Sequence, residues 1–82
     1  MNKVIYQIKA LKQLRKIPNS ALIRNKIDEL SNMPNCINVK SLTNYKYQYR
    51  LRVGNYRVFF NFDGIIHIVS IEEVKKRDER TY

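Results

Sequence analysis

The sequence predicts an α+β domain: an N-terminal strand, an antiparallel helical hairpin, then a three-stranded antiparallel meander with both helices packed on one face of the sheet. Three observations predict it. The dipeptides Gly54-Asn55 and Asp63-Gly64 separate three alternating apolar segments. Pro18 and Pro34 close two stretches whose apolar residues recur at helical spacing. A short alternating segment, Val4–Ile8, precedes both. The order β-α-α-β-β-β over 82 residues makes a single domain spanning 1–82, with no repeat, linker or low-complexity segment.

In Val4–Ile8 the alternation runs through Val4, Tyr6 and Ile8. Lys9–Ile17 reads as a helix, with Ala10, Leu11, Leu14 and Ile17 on one stripe and Lys9, Lys12 and Lys16 outside. Pro18 stops it, because proline offers no amide hydrogen and clashes with the preceding turn. Asn19 or Ser20 then caps a second helix running to about Met33, with Leu22, Ile23, Ile27, Leu30 and Met33 on its apolar stripe. Asn35–Asn44 reads as an irregular connection, with Val39 and Leu42 turned toward the core. Strands follow at Tyr47–Val53, Tyr56–Phe62 and from Ile65 through Ile71, the last running on toward Val74.

Gly, Asn and Asp tolerate the positive φ of two-residue hairpin turns. If both turns are tight, Val53 faces Tyr56, Arg52 faces Arg57, and Arg50 faces Phe59. The second turn then sets Phe62 against Ile65, Phe59 against Ile68, and Arg57 against Ser70. Alternation sorts the side chains onto two faces. Tyr47, Tyr49, Leu51, Val53, Tyr56, Val58, Phe60, Phe62, Ile65, Val69 and Ile71 form a core face. Gln48, Arg50, Arg52, Arg57, Phe59, Asn61 and Ser70 form an open, basic face. Arginine opposite arginine costs a few tenths to about 1 kcal/mol, so this face is suited to an anion.

The composition agrees. Sixteen Lys and Arg against seven Asp and Glu give a net charge of +9. Such a bias points to a polyanionic partner, with nucleic acid or a ribonucleoprotein foremost. The lone cysteine, Cys36, forms no internal disulfide, which suits a cytoplasmic compartment. No signal peptide is evident, and no apolar run is long enough to span a bilayer. One His and one Cys do not make a zinc site, and both glycines are spent on turns, which leaves no phosphate-binding loop. No metal and no cofactor are expected.

If the polyanion is RNA, its cleavage by its own 2′-hydroxyl would require a proton removed from that hydroxyl, a stabilised phosphorane, and a proton given to the 5′-oxygen. His67 falls on the core face opposite Phe60 and reads as structural. No carboxylate falls among the strand arginines, although Glu72 stands near the end of that face. An obvious acid–base pair is therefore lacking. Phe59 is a candidate platform for stacking a base.

The stretch Tyr49-Arg50-Leu51-Arg52-Val53-Gly54-Asn55-Tyr56-Arg57-Val58-Phe59-Phe60 resembles the RelE/ParE superfamily of bacterial type II toxins. So do Ala10–Pro18, Asn38–Leu42 and the basic tail from Lys75 to Tyr82. The resemblance covers essentially the whole chain and is closest to the RelE-like branch, although ParE-like members share the sheet pattern. It implies a RelE-like RNase fold and a toxin that enters the ribosomal A site and cuts messenger there. It implies a cognate antitoxin in a heterooligomeric complex, together with ribosomal RNA and messenger as partners. The ParE-like alternative poisons DNA gyrase, and a third reading is a non-catalytic RNA- or ribosome-binding module.

By position, Arg57 matches the arginine that stabilises the phosphorane. Arg50 matches a functional lysine, keeping the charge but not the capacity to carry a proton. Gln48 stands where another functional lysine is common, which removes a charge. Arg77, with Lys76 as second choice, matches the tail arginine, and with Arg57, Arg50 and Tyr82 it makes up the catalytic set that the resemblance implies. Tyr82 matches the C-terminal tyrosine, a candidate general base or stacking platform. A phenol pKa near 10 needs a large downward shift for the first role. Arg52, Phe59, Lys75 and Lys76 complete the expected RNA-binding set with Gln48.

Overall fold

The computed structural model describes residues 1–77. The chain runs through β1 (Lys3–Tyr6), α1 (Ile8–Arg15), α2 (Ser20–Asp28), a 3-10 turn (Glu29–Asn32), β2 (Val39–Ser41), β3 (Tyr49–Val53), β4 (Tyr56–Asp63) and β5 (Ile68–Lys76). The sheet order is β1-β5-β4-β3-β2. The meander β3-β4-β5 is antiparallel as expected, and β1 adds to it in parallel beside β5. A parallel neighbour requires a long crossover, and the two helices lie within the one that joins β1 to the meander.

The helices bury one stripe each against one face of the sheet. Ala10 and Leu14 from α1 and Ile23 and Ile27 from α2 meet Leu51, Val58, Phe60, Val69 and Ile71. Leu30 and Met33 join the same cluster. The second helix ends earlier than its spacing suggests, because its last turn tightens at Glu29–Asn32. Leu22 leaves the expected stripe and is exposed. Asn19 precedes α2 at φ 58° and makes no side-chain cap bond.

The first hairpin has the expected register, with Val53 opposite Tyr56, Arg52 opposite Arg57 and Arg50 opposite Phe59. Gly54 supplies the positive φ of 55° at its turn. The second connection differs. In place of a tight turn there is a loop over 64–67, in which the Asp63 carboxylate accepts bonds from the Ile65 amide at 2.9 Å and the Ile66 amide at 3.2 Å. An aspartate that satisfies two following amides holds a longer loop open. Ile65 is therefore 90% exposed rather than in the core. His67 lies in the same loop, exposed and at φ 56°, not opposite Phe60.

Phe62 pairs with Val69 rather than Ile65. The displacement is even, so Val69 and Ile71 still face the core as alternation requires. A β-bulge then breaks the alternation: Phe60 pairs with Ile71, but Phe59 pairs with Glu73. Glu72 is the extra residue. Beyond the bulge every side chain of β5 changes face, so Val74 enters the core and Glu73 and Lys75 turn to the open side. The amide of Val74, past the end of β1, donates to Gln13 Oε1 of α1 at 2.6 Å.

A further strand, β2, lies inside the segment expected to be irregular. It pairs Val39 with Leu51 and Lys40 with Arg50. Asn38 at φ 61° bends the chain into it.

Candidate nucleic-acid interface

The open face of the sheet is built in rows. Cross-strand partners share a face, so one row reads Lys40, Arg50, Phe59, Glu73 across β2, β3, β4 and β5. The next reads Arg52, Arg57, Lys75. Arg50, Arg52 and Arg57 are brought together as the alternation predicts. Lys40 and Lys75 extend the cationic surface on either side.

Glu73 is the member of this face that the sequence does not announce. It stands at the β5 end of the row through Arg50 and Phe59, with only 5% of its own surface exposed. Its Oε2 accepts a hydrogen bond from the Tyr47 hydroxyl at 2.8 Å. Its Oε1 lies 3.3 Å from Lys9 Nζ and 3.5 Å from Lys75 Nζ. Burial by itself pushes this carboxyl up, but the bonds from Tyr47 and Lys9 and the charges of Lys75 and Lys9 outweigh it and hold the pKa below the ordinary value. Glu73 is thus an ionised counter-charge whose oxygens are both engaged. Only the bulge brings it here, and a bulge has no mark in a single sequence.

Tyr47 also departs from expectation. Strict alternation puts it on the core face, but β3 begins only at Tyr49. Tyr47 lies on the open side, buried against Phe59 at 5.7 Å between ring centroids. Burial, the bond to Glu73 and the negative charge beside it push the Tyr47 phenol up to about 12. It remains a proton donor to Glu73 throughout the neutral range.

Phe59 is on the expected face but is buried, because Tyr45 and Tyr47 cover it. Its ring is a floor for other rings rather than an open platform. Gln48 is also engaged in the scaffold. Its Oε1 accepts from the Phe62 amide at 2.9 Å, while its own backbone amide donates to Asn61 Oδ1 at 2.9 Å. These two side chains continue the β3–β4 ladder beyond Tyr49. A lysine at 48 would lack the acceptor that this continuation uses.

Arg50 is half-buried, and its Nε is a buried nitrogen without a hydrogen-bond partner among the described residues. Arg52 is exposed, and its amide donates to the Asn38 carbonyl at 3.0 Å. Arg57 is half-buried between Arg52 and Lys75. Lys76 pairs with Tyr56 and so has the core-side parity, at the exposed end of β5. Arg77 follows the strand, exposed, with its amide donating to the Asn55 carbonyl at 2.6 Å. Tyr82 lies outside the described residues. Glu72, expected near the end of the face, accepts from Ser70 Oγ of the same face at 2.6 Å. Among the described residues, no group of His, Cys, Asp or Glu comes together to hold a metal ion. No helix among them is long and apolar enough to cross a membrane.

This fold is shared with solved toxin structures. The toxin–antitoxin complex RelBE2 from Mycobacterium tuberculosis contains a chain that superposes at a TM-score of 0.79 and 25% identity, covering 93% of this chain and 98% of that one. The archaeal RelE–RelB complex from Pyrococcus horikoshii gives 0.78 at 22% identity, covering 95% and 97%. The isolated E. coli RelE toxin gives 0.79 at 18% identity, covering 96% and 87%. The last two identities are low enough that they speak to the fold alone. No curated protein matches the sequence. The family described as ParE toxin of type II toxin-antitoxin system, parDE, matches residues 4–79, which takes in both helices and nearly all of the sheet. The chain therefore belongs to that family, and is a toxin of the RelE/ParE superfamily.

Proposed function

We propose that this toxin is a ribosome-dependent endoribonuclease that cuts messenger in the A site and so stops translation. The observation that carries the reading is the open face itself: Arg50, Arg57 and Lys75 on paired strands, with an ionised Glu73 held by Lys75, Lys9 and Tyr47. Such placement matters, since preorganised cations stabilise developing negative charge without reorganising at the moment of reaction.

In this reading Arg50 holds the scissile phosphate through the donors of its guanidinium. Arg57 meets the charge that builds on the phosphorane. Arg52, Lys40, Lys75 and Lys76 bind neighbouring phosphates, and Arg77 extends this grip beyond β5. None of the arginines moves a proton at neutral pH. Glu73 is a weak base, because its pKa is depressed and its oxygens are occupied. Its role is to fix Lys9, Lys75 and Tyr47 in position. The proton of the 2′-hydroxyl goes to Tyr82, and the departing 5′-oxygen takes one from a lysine ammonium of the face or from water ordered on the ribosome. The isolated protein therefore has little activity on free RNA, and the ribosome supplies alignment of attacking oxygen, phosphorus and leaving oxygen.

A protein antitoxin covers the basic face in the resting cell, in a heterooligomeric complex in the cytoplasm. The solved RelBE2 toxin–antitoxin complex from Mycobacterium tuberculosis, one chain of which shares this fold, supports the antitoxin partner. The ParE family description favours a second reading, a gyrase poison that cuts no RNA. Primer extension on a messenger translated in a reconstituted system, with and without ribosomes, separates them. Ribosome-dependent cuts in register with the A-site codon support the ribonuclease. Intact messenger together with gyrase-dependent DNA breaks supports the poison.

A further inference from the structure

We infer that Tyr45 is a stacking platform for an unpaired nucleobase, a binding position for single-stranded RNA at the rim of the basic face. The inference rests on the ribonuclease reading and names a further substrate contact for it.

Tyr45 is an aromatic ring that is half in water, with 50% of its surface exposed. Its ring is nonetheless held. It stacks on Phe59 with centroids 5.3 Å apart and planes 28° from parallel, and it meets Tyr47 edge-on at 6.1 Å. Both supporting rings are buried, and Tyr47 is anchored in turn by its hydroxyl on Glu73. Asn44, at φ 53°, turns the backbone immediately before the ring. Packed groups thus run without a break from Glu73 through Tyr47 and Phe59 to Tyr45. The outer ring is immobilised before any ligand arrives, which removes much of the ordering cost of binding.

The chemistry around the ring selects the ligand. Arg50 is the cross-strand neighbour of Phe59, the ring beneath Tyr45. Lys75 Nζ lies 6.0 Å from the Phe59 centroid, and Lys46 Nζ lies 5.6 Å from that of Tyr47. An aromatic plane flanked by cations fits a base with its phosphates better than an apolar peptide side chain. Lys46 also borders an open groove of about 590 Å³ whose lining mixes the polar Gln48, Asn61 and Ser70 with Asp63, Phe62 and three isoleucines. Stacking of this kind tolerates any base, because each has a π-face.

The sequence contains no tryptophan, so Tyr45→Trp places a single indole at the platform. With the purified full chain and a mixed-sequence RNA 10-mer as probe, the fluorescence of that indole is expected to quench to saturation. A 10-mer of abasic residues is expected to leave it unquenched. Tyr45→Phe keeps the RNA affinity. Tyr45→Leu, which preserves apolar cover over Phe59, loses roughly 5- to 150-fold, the equivalent of one stacked base. Its melting temperature and its affinity for heparin, a polyanion without bases, stay as in the parent. Unchanged RNA affinity in folded Tyr45→Leu overturns the inference, as does an equal loss toward heparin. Quenching by acidic peptide but not by RNA overturns it in favour of a protein ligand. The two readings fail separately: A-site cleavage with normal RNA affinity in Tyr45→Leu rejects only the platform. Base-dependent quenching without ribosomal cleavage rejects only the nuclease.

Discussion

Replacing Glu73 with glutamine tests whether the β5 side of the basic face is organised by one ionised carboxylate. The side chain keeps its size and one acceptor for Tyr47, but loses the charge that faces Lys9 and Lys75. The hydrogen bond from Tyr47 to a charged acceptor contributes about 1.5–3 kcal/mol, part of which a neutral amide retains. The two lysine pairs are worth about 0.2–1 kcal/mol each, because their lysine side chains are 55% and 51% exposed. Desolvation of the buried carboxylate offsets a share of the total. The net loss at pH 7 is expected to be about 1–2 kcal/mol, or a melting temperature lower by about 4–16 °C for a domain of this size. The pH dependence has a definite sign. The folded pKa of Glu73 lies below its unfolded value. Its stabilisation is therefore fully present above about pH 4.3 and is lost as the pH falls through the folded value. Thermal melts followed by circular dichroism at pH 7 and at pH 3 should show a gap between the two proteins that narrows in acid. A gap of equal size at both pH values, or a glutamine variant that is more stable at pH 7, would refute the reasoning.

Arg57→Ala is expected to keep the fold, with a melting temperature close to the parent's, and to lower ribosome-dependent cleavage by about 10²–10³-fold, the usual effect of removing one preorganised charge. A fully toxic variant at equal expression would sink the assignment. Lys40→Ala, at the far end of the row through Arg50, should weaken RNA binding. It should reduce the slope of log K against log salt by about 0.7, one phosphate contact on a single strand. An unchanged slope in a salt titration would remove Lys40 from the surface. Phe60→Ala, in the fully buried centre of the core, should cost about 3–5 kcal/mol and leave a chain of this size close to unfolding at 37 °C. Urea denaturation checks it, and a loss below about 1 kcal/mol would contradict the packing.

Much of the architecture is legible in the sequence because the relevant signals are local. Pro18 stops the first helix wherever the rest of the chain lies, and Gly54 is a residue that takes the turn at φ 55° without strain. The first hairpin register follows from that turn, so alternation puts Arg50, Arg52 and Arg57 on one face, as the structure does. The other half of the candidate site is less legible. Asp63-Gly64 has the composition of a tight turn, yet the Asp63 carboxylate organises a longer loop. Three residues of β2 are too few to show alternation, so nothing in the chain sets Lys40 beside Arg50. Phe59 has an open-face position but not an open ring, because the segment before β3 lays Tyr45 and Tyr47 over it.

The class of fold, the basic surface and the arginine face follow from the chain alone, since periodicity, turn chemistry and net charge are properties of neighbouring residues. What occupies the β5 side of that face follows only from the folded molecule. A single extra residue at Glu72 reverses the alternation of β5. It sends Val74 into the core and brings Glu73 out to meet Tyr47, Lys9 and Lys75. A bulge forms where packing on both sides of a strand favours it. Here the groups that fix it, Gln13 of α1 and Phe59 and Phe60 of β4, reach it only in the folded chain.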